Sequence, residues 1–142
     1  MVQALTLAKE SALKGEVPVG AILVKDGQVI SQSGNSPISS LDPTAHAEVN
    51  TLRLAANIMG NYRLVGTTLY STLEPCVMCA GAIMQARISR LVFGAYDQKS
   101  GACGSVIDLF GHEKLNHHTS VLGGVMPTEC AEVLKTFFKI RR

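Results

Sequence analysis

Apolar residues recur along the chain with two different periods, and the alternation of those periods outlines the fold. Val2, Leu5, Ala8 and Ala12 are separated by polar residues at helical spacing, and Gly15 predicts the stop of a helix over 2–14. Val17 to Lys25 is apolar and β-branched. Asp26-Gly27 follows, then Gln28-Val29-Ile30, a D-G pair between apolar runs that predicts a hairpin. Gly34-Asn35-Ser36-Pro37 has turn chemistry and opens a loop. Asp42-Pro43-Thr44 closes that loop, with Thr44 placed to cap a helix from about Ala45 to Ile58. Thr67 to Ser71 reads as a buried strand. Pro75 suits a first helical turn, so a helix is expected from Cys76 to about Ala86. Leu91-Val92-Phe93 predicts another strand. Residues 95–118 read mostly as loop around a short apolar segment, Val106 to Phe110, and Thr119 to Leu122 as a last short strand. The final helix starts near Pro127 and presents Cys130, Val133, Leu134, Phe137 and Phe138 as one apolar face.

Strands that alternate with helices need crossover connections, hence a partly parallel sheet covered on both faces, to which the hairpin adds an antiparallel pair. No repeat, low-complexity tract or linker interrupts the chain, so one domain over 1–142 is expected. At 142 residues, 46% hydrophobic and 17% charged, the composition fits a compact fold and excludes the disordered class. No apolar run approaches the length of a membrane span, and Met1-Val2-Gln3-Ala4 lacks the layout of a signal peptide, so a cytoplasmic location is expected. The net charge of +2 is too small to announce a nucleic-acid binder. Lys135, Lys139, Arg141 and Arg142 nevertheless cluster at the C-terminus, either as a phosphate-facing patch or as complements to a helix dipole. Cys103 and Cys130 are isolated and read as small apolar filler.

Cys76 and Cys79 stand three apart at the start of a predicted helix, on one face, where free N–H groups favour thiolates. Such a pair serves as metal ligands, as a redox couple or as core filler. His46-Ala47-Glu48, at the start of another predicted helix, adds a candidate third ligand. His46, Cys76 and Cys79 would leave a fourth position open, the arrangement of a catalytic zinc. His112, His117 or His118 could close the site, but they lie far along the chain in a loop. Glu48, two residues from His46, is either a first-turn acid complementing the helix dipole or a proton carrier beside zinc-activated water. The combination is more specific than its parts: H-x-E followed by P-C-x-x-C is the pattern of zinc nucleobase deaminases, tRNA adenosine deaminases among them.

The sequence resembles the bacterial tRNA-specific adenosine deaminases of the cytidine-deaminase-like superfamily, nearly end to end. The likeness runs through Glu16-Val17-Pro18-Val19-Gly20-Ala21, Gly34-Asn35-Ser36-Pro37, Asp42 to Glu48, Thr68 to Ala82, Gly101-Ala102-Cys103-Gly104-Ser105, Asn116-His117 and Phe137 to Arg142. The resemblance implies a three-layer α/β/α sandwich on a mixed five-stranded sheet and one zinc ion per subunit held by His46, Cys76 and Cys79. It implies Glu48 as the catalytic proton shuttle and substrate contacts at Asn35 and Asp97. The implied reaction is hydrolysis of adenosine to inosine at the wobble position of a tRNA anticodon, and the implied assembly is a homodimer with RNA contacts shared across subunits. Asn35 has a local alternative as a turn residue capping its own loop, and Asp97 as a solvated loop acid.

Three departures stand out. The chain begins almost inside its first helix, Tyr96 stands where relatives often carry a basic residue, and Val49 is a mild apolar change. The rival readings are a free-base or nucleoside deaminase of guanine or cytosine type, a non-catalytic zinc-binding partner subunit, and a redox Cys76/Cys79 pair. The first shares the whole metal site, since site chemistry fixes reaction class better than substrate size.

Overall fold

The structure, a computed structural model, describes residues 1–142. In chain order the elements are α1 (Val2–Leu13), β1 (Gly20–Lys25), β2 (Gln28–Gly34), α2 (Pro37–Ser40), α3 (Ala47–Met59), β3 (Thr68–Leu73), α4 (Val77–Gln85), β4 (Arg90–Ala95), β5 (Ser120–Leu122) and α5 (Pro127–Ile140). The sheet order is β2-β1-β3-β4-β5. β1 pairs antiparallel with β2 and β3, while β3–β4 and β4–β5 are parallel. α1 and α5 pack on one face of the sheet and α3 and α4 on the other, which is the expected three-layer arrangement.

The burial pattern follows that layering. β1 and β4, covered on both faces, are almost continuously buried, whereas the edge strands β2 and β5 are largely exposed. The main core joins Leu23, Leu69, Leu91 and Phe93 of the sheet to Leu52 and Ala55 of α3 and Ile83 of α4. The hairpin turns through Asp26 and Gly27, both with positive φ, the backbone that a two-residue turn matching strand twist requires. A register shift opposite Leu23/Val24 leaves Ile30 as the extra residue of a β-bulge. Gly20 lies so close to α1 that a Cβ there would collide with the Ala4 carbonyl oxygen. No helix is long and apolar enough to cross a membrane.

Several expectations need correction. β1 begins at Gly20 and not at Val17. The stretch read as a loop after Gly34 contains the short helix α2, because the buried carboxylate of Glu16 accepts from the backbone N–H groups of Ile38 and Ser39 at 3.2 and 2.7 Å. Thr44 does not cap α3: its hydroxyl and N–H both donate to Asp42 Oδ1, and His46 occupies the cap position. Phe138 leaves the buried face of α5 and is 47% exposed.

Candidate functional site

The sheet topology gathers four chain ends at one edge. The two parallel strands β3 and β4 both end there, at Leu73 and Ala95. The antiparallel pairings bring the start of β1 and the end of β2 to the same edge. α3 and α4 begin immediately beyond it. In an α/β sheet this carboxyl edge is where sites form.

His46 and Cys76 are the N-cap residues of α3 and α4, both with extended backbone. A cap side chain usually satisfies its own helix, yet neither of these does so, and both turn to each other instead. His46 Nδ1 lies 3.7 Å from Cys76 Sγ and 3.5 Å from Cys79 Sγ. The cap of α3 is supplied from elsewhere: Asn35 Oδ1 accepts from the Ala47 N–H at 2.7 Å. The three candidate ligand atoms lie within 4.8 Å of one another, and no further His, Cys or carboxylate joins them. A tetrahedral zinc with ordinary bond lengths would hold a nitrogen and a sulfur ligand about 3.6 Å apart, so the donor set fits that ion and leaves one position open. His117, a candidate for closing the site, instead bonds the Ile88 carbonyl through Nε2 at 2.8 Å.

The electrostatics suit the same role. The Cys79 thiol and then, against the effect of burial, His46 and the Cys79 backbone N–H bond to Cys76, and bring its pKa down to about 4. Cys79 is pushed up, first because it donates that proton to Cys76 and then by burial. The hydrogen bond to Cys76 raises His46. Binding of a metal at this pair would displace the thiol protons.

Glu48, in the first turn of α3, is 4% exposed. Its Oε1 accepts from Ser71 Oγ on β3 at 3.0 Å, and its Oε2 lies 3.6 Å from Cys79 Sγ. Burial pushes its carboxyl above the ordinary value, and the bonds from its own backbone and from Ser71 oppose this only in part. An acid poised in this way beside a metal site can take and return a proton.

A cleft of about 970 Å³ opens over these groups. Asn35 and Asp97 both line it, as do His46, Glu48 and Cys76. Asp97 is not a free loop acid: its Oδ1 accepts from the N–H groups of Lys99 and Ser100 and its Oδ2 from the Ser100 hydroxyl, which shapes the turn. Lys99, Lys135, Lys139, Arg141 and Arg142 also line the cleft, so the C-terminal cations face the site rather than serving the helix end alone.

Sequence reasoning missed Glu74. It is 1% exposed, and its carboxylate accepts from the N–H groups of Asp97, Cys103 and Ser105 and from the Ser105 hydroxyl. Burial alone would raise its pKa, but these donors outweigh it and hold the carboxyl below its ordinary value. A Cβ at Gly101 would collide with this carboxylate, which accounts for the glycine. The only trace of this clamp in the sequence is a Gly- and Ser-containing stretch, 100–105, distant from Glu74.

Comparison with known proteins places these features in context. The sequence model of the cytidine and deoxycytidylate deaminase zinc-binding region matches residues 1–95. A tRNA-specific adenosine deaminase of Haemophilus influenzae is 52% identical over 140 residues, covering 98% of this chain and 81% of that protein. One of Bacillus subtilis is 42% identical over 139 residues, covering 98% and 86%. A solved structure from a study of A-to-I editing by tRNA:A34 deaminases at the wobble position of transfer RNA is similar at a TM-score of 0.90. It is 46% identical to this chain, with 92% of this chain and 95% of that one covered.

Proposed function

The chain belongs to the zinc-binding cytidine and deoxycytidylate deaminase family, with tRNA-specific adenosine deaminases as relatives, and from that premise we infer that it deaminates adenosine to inosine at the wobble position of a tRNA anticodon. The observation that carries this reading is the joining of a His46/Cys76/Cys79 donor set and a buried Glu48 to a cleft lined with cations.

Adenosine and water become inosine and ammonia: a C6–O bond forms and the C6–N bond breaks. His46, Cys76 and Cys79 would hold a zinc ion, whose Lewis acidity would make water a nucleophile near neutral pH. Glu48 accepts the proton of the attacking water, passes it to the adenine ring nitrogen, and carries a second proton to the leaving amine. Ser71 fixes Glu48 Oε1, which leaves Oε2 on the side of the sulfurs. The base must leave its stack to reach this depth. Asn35 Oδ1 is committed to α3, so its amide nitrogen is the group offered to the bound nucleotide. Asp97 holds the 97–100 turn against the substrate strand. Lys135, Lys139, Arg141 and Arg142 meet the phosphates of the anticodon stem-loop.

The enzyme works as a homodimer in the cytoplasm. Leu54 and Ile58, one turn apart on the outer face of α3, and Val77 at the start of α4 are exposed apolar residues that a second copy would cover. Analytical ultracentrifugation tests the assembly.

The decisive assay is ammonia release by the zinc-loaded protein from an anticodon stem-loop carrying adenosine at the wobble position, with free adenosine, guanine and cytosine in parallel. Turnover of the stem-loop alone is expected. Turnover of a free base alone would overturn the substrate and keep the chemistry.

A further inference from the structure

Tyr96 follows directly on β4 and is 54% exposed at the lining of the cleft that holds His46 and Glu48. A scattered exposed aromatic needs no explanation, but this one is held in place. Its ring meets the buried Phe93 edge-on, with centroids 5.2 Å apart and planes at 88°. It also rests beside Gly124, where even a Cβ would come no nearer than 3.5 Å to the ring. The next residue, Asp97, has its N–H fixed by Glu74 at 2.9 Å. The result is a rigid, half-open ring among the cations Lys99, Lys135, Lys139 and Arg142. An aromatic face set within a cationic groove is how proteins hold unpaired nucleotides, the cations following the backbone and the ring stacking on a base.

We propose that Tyr96 is a stacking platform for the base next to the reactive adenosine, and so a residue that sets affinity for the loop around the edited nucleotide. A ring here gives affinity that does not depend on salt, where a cation would give salt-dependent phosphate contact. The inference rests on the nucleic-acid substrate proposed above.

The test compares wild type, Tyr96→Ala and Tyr96→Phe, each zinc-loaded, on the wobble-adenosine stem-loop. The same three proteins then meet stem-loops in which the 5′ or the 3′ neighbour of that adenosine is abasic. On the intact substrate Tyr96→Ala should raise KM roughly tenfold, within the range of one aromatic–base stack, with kcat changing far less. Tyr96→Phe, which keeps the ring, should retain the wild-type KM. On one of the two abasic substrates wild type should show the raised KM itself, and Tyr96→Ala should add nothing. A penalty that persists in full on both abasic substrates, or no penalty on the intact one, overturns the platform. Wild type that turns over a free base but no stem-loop would remove the substrate reading and this inference together, an outcome distinct from the others because no variant is needed to see it.

Discussion

Two glutamates are buried within one site and are held in opposite ways. Glu48, at the start of α3, receives bonds only from its own backbone N–H and the Ser71 hydroxyl, with a weak contact from Cys79, so burial prevails and its carboxyl rises. Glu74, just before α4, receives four donors from residues 97–105, so its charge is stabilised and its carboxyl falls. Solvent exposure is nearly the same for both, but Glu48 is set deeper in the protein than Glu74. Deeper burial with few donors raises one carboxyl, and shallower burial with many donors lowers the other and anchors a loop. The first is suited to chemistry and the second to architecture, although both lie within a few residues of the candidate metal ligands.

The sharpest way to break this contrast is to neutralise Glu48 without changing its shape and to remove the Glu74 carboxylate altogether. Glu48→Gln should lower kcat on the stem-loop by about a thousandfold, the scale of lost acid–base catalysis. Zinc content should stay at one ion per chain, and urea denaturation should show stability equal to wild type or higher, since an acid with few donors is costly to bury. A large loss of stability here would erase the distinction. Glu74→Ala should do the reverse. Four donors lose their acceptor, and the unfolding free energy should fall by roughly 3 kcal/mol. For a domain of this size that lowers Tm by about 10 °C in a thermal melt.

The pH dependence of stability sharpens the same point. The folded-state pKa of Glu74 is depressed below its ordinary value of 4.5. The stability it contributes is therefore fully present above pH 4.5 and is lost as pH falls through the lower, folded value. The stability difference between wild type and Glu74→Gln should accordingly be constant from pH 7 down to about pH 5 and shrink below it. Denaturant midpoints for both proteins across that range check this, and because protonation of the metal ligands affects both alike, the difference isolates Glu74.

How much of this was legible in the sequence depends on the span of each interaction. His46 with Glu48, and Cys76 with Cys79, are close pairs in the chain, and each pair belongs to one helix start, so their spacing was legible; each pair alone stayed ambiguous, and their combination as H-x-E with P-C-x-x-C pointed to the chemistry. Alternating periods likewise exposed the parallel β3–β4 core and the D-G hairpin. What stayed hidden was held from far away. α2 exists because Glu16 reaches across more than twenty residues. The clamp on Glu74 draws every donor from beyond β4. Thr44 had the residue type of a cap, but Asp42, two positions back, took its hydroxyl. Local pattern reports propensity, and a buried acceptor from elsewhere in the chain overrides it.

The smallest expected effect concerns Asn35, whose role had two readings that the structure makes separable. Its Oδ1 caps α3, the helix that carries His46 and Glu48, by accepting the Ala47 N–H, while its amide nitrogen is the part proposed to meet substrate. Asn35→Ala removes both and should cost about 1 kcal/mol of stability, the usual value of a lost cap, together with a rise in KM. Asn35→Asp keeps an acceptor for Ala47 while losing the donor and adding a negative charge that the helix N-terminus accommodates. It should restore stability to near wild type while KM stays raised, because the cap needs an oxygen and the nucleotide contact needs an N–H. Thermal melts and steady-state assays on the same two variants separate these effects. If Asn35→Asp recovered both stability and KM, Asn35 would be a capping residue alone, and the support of Glu48 by a distant side chain would match that of the 97–105 loop by Glu74.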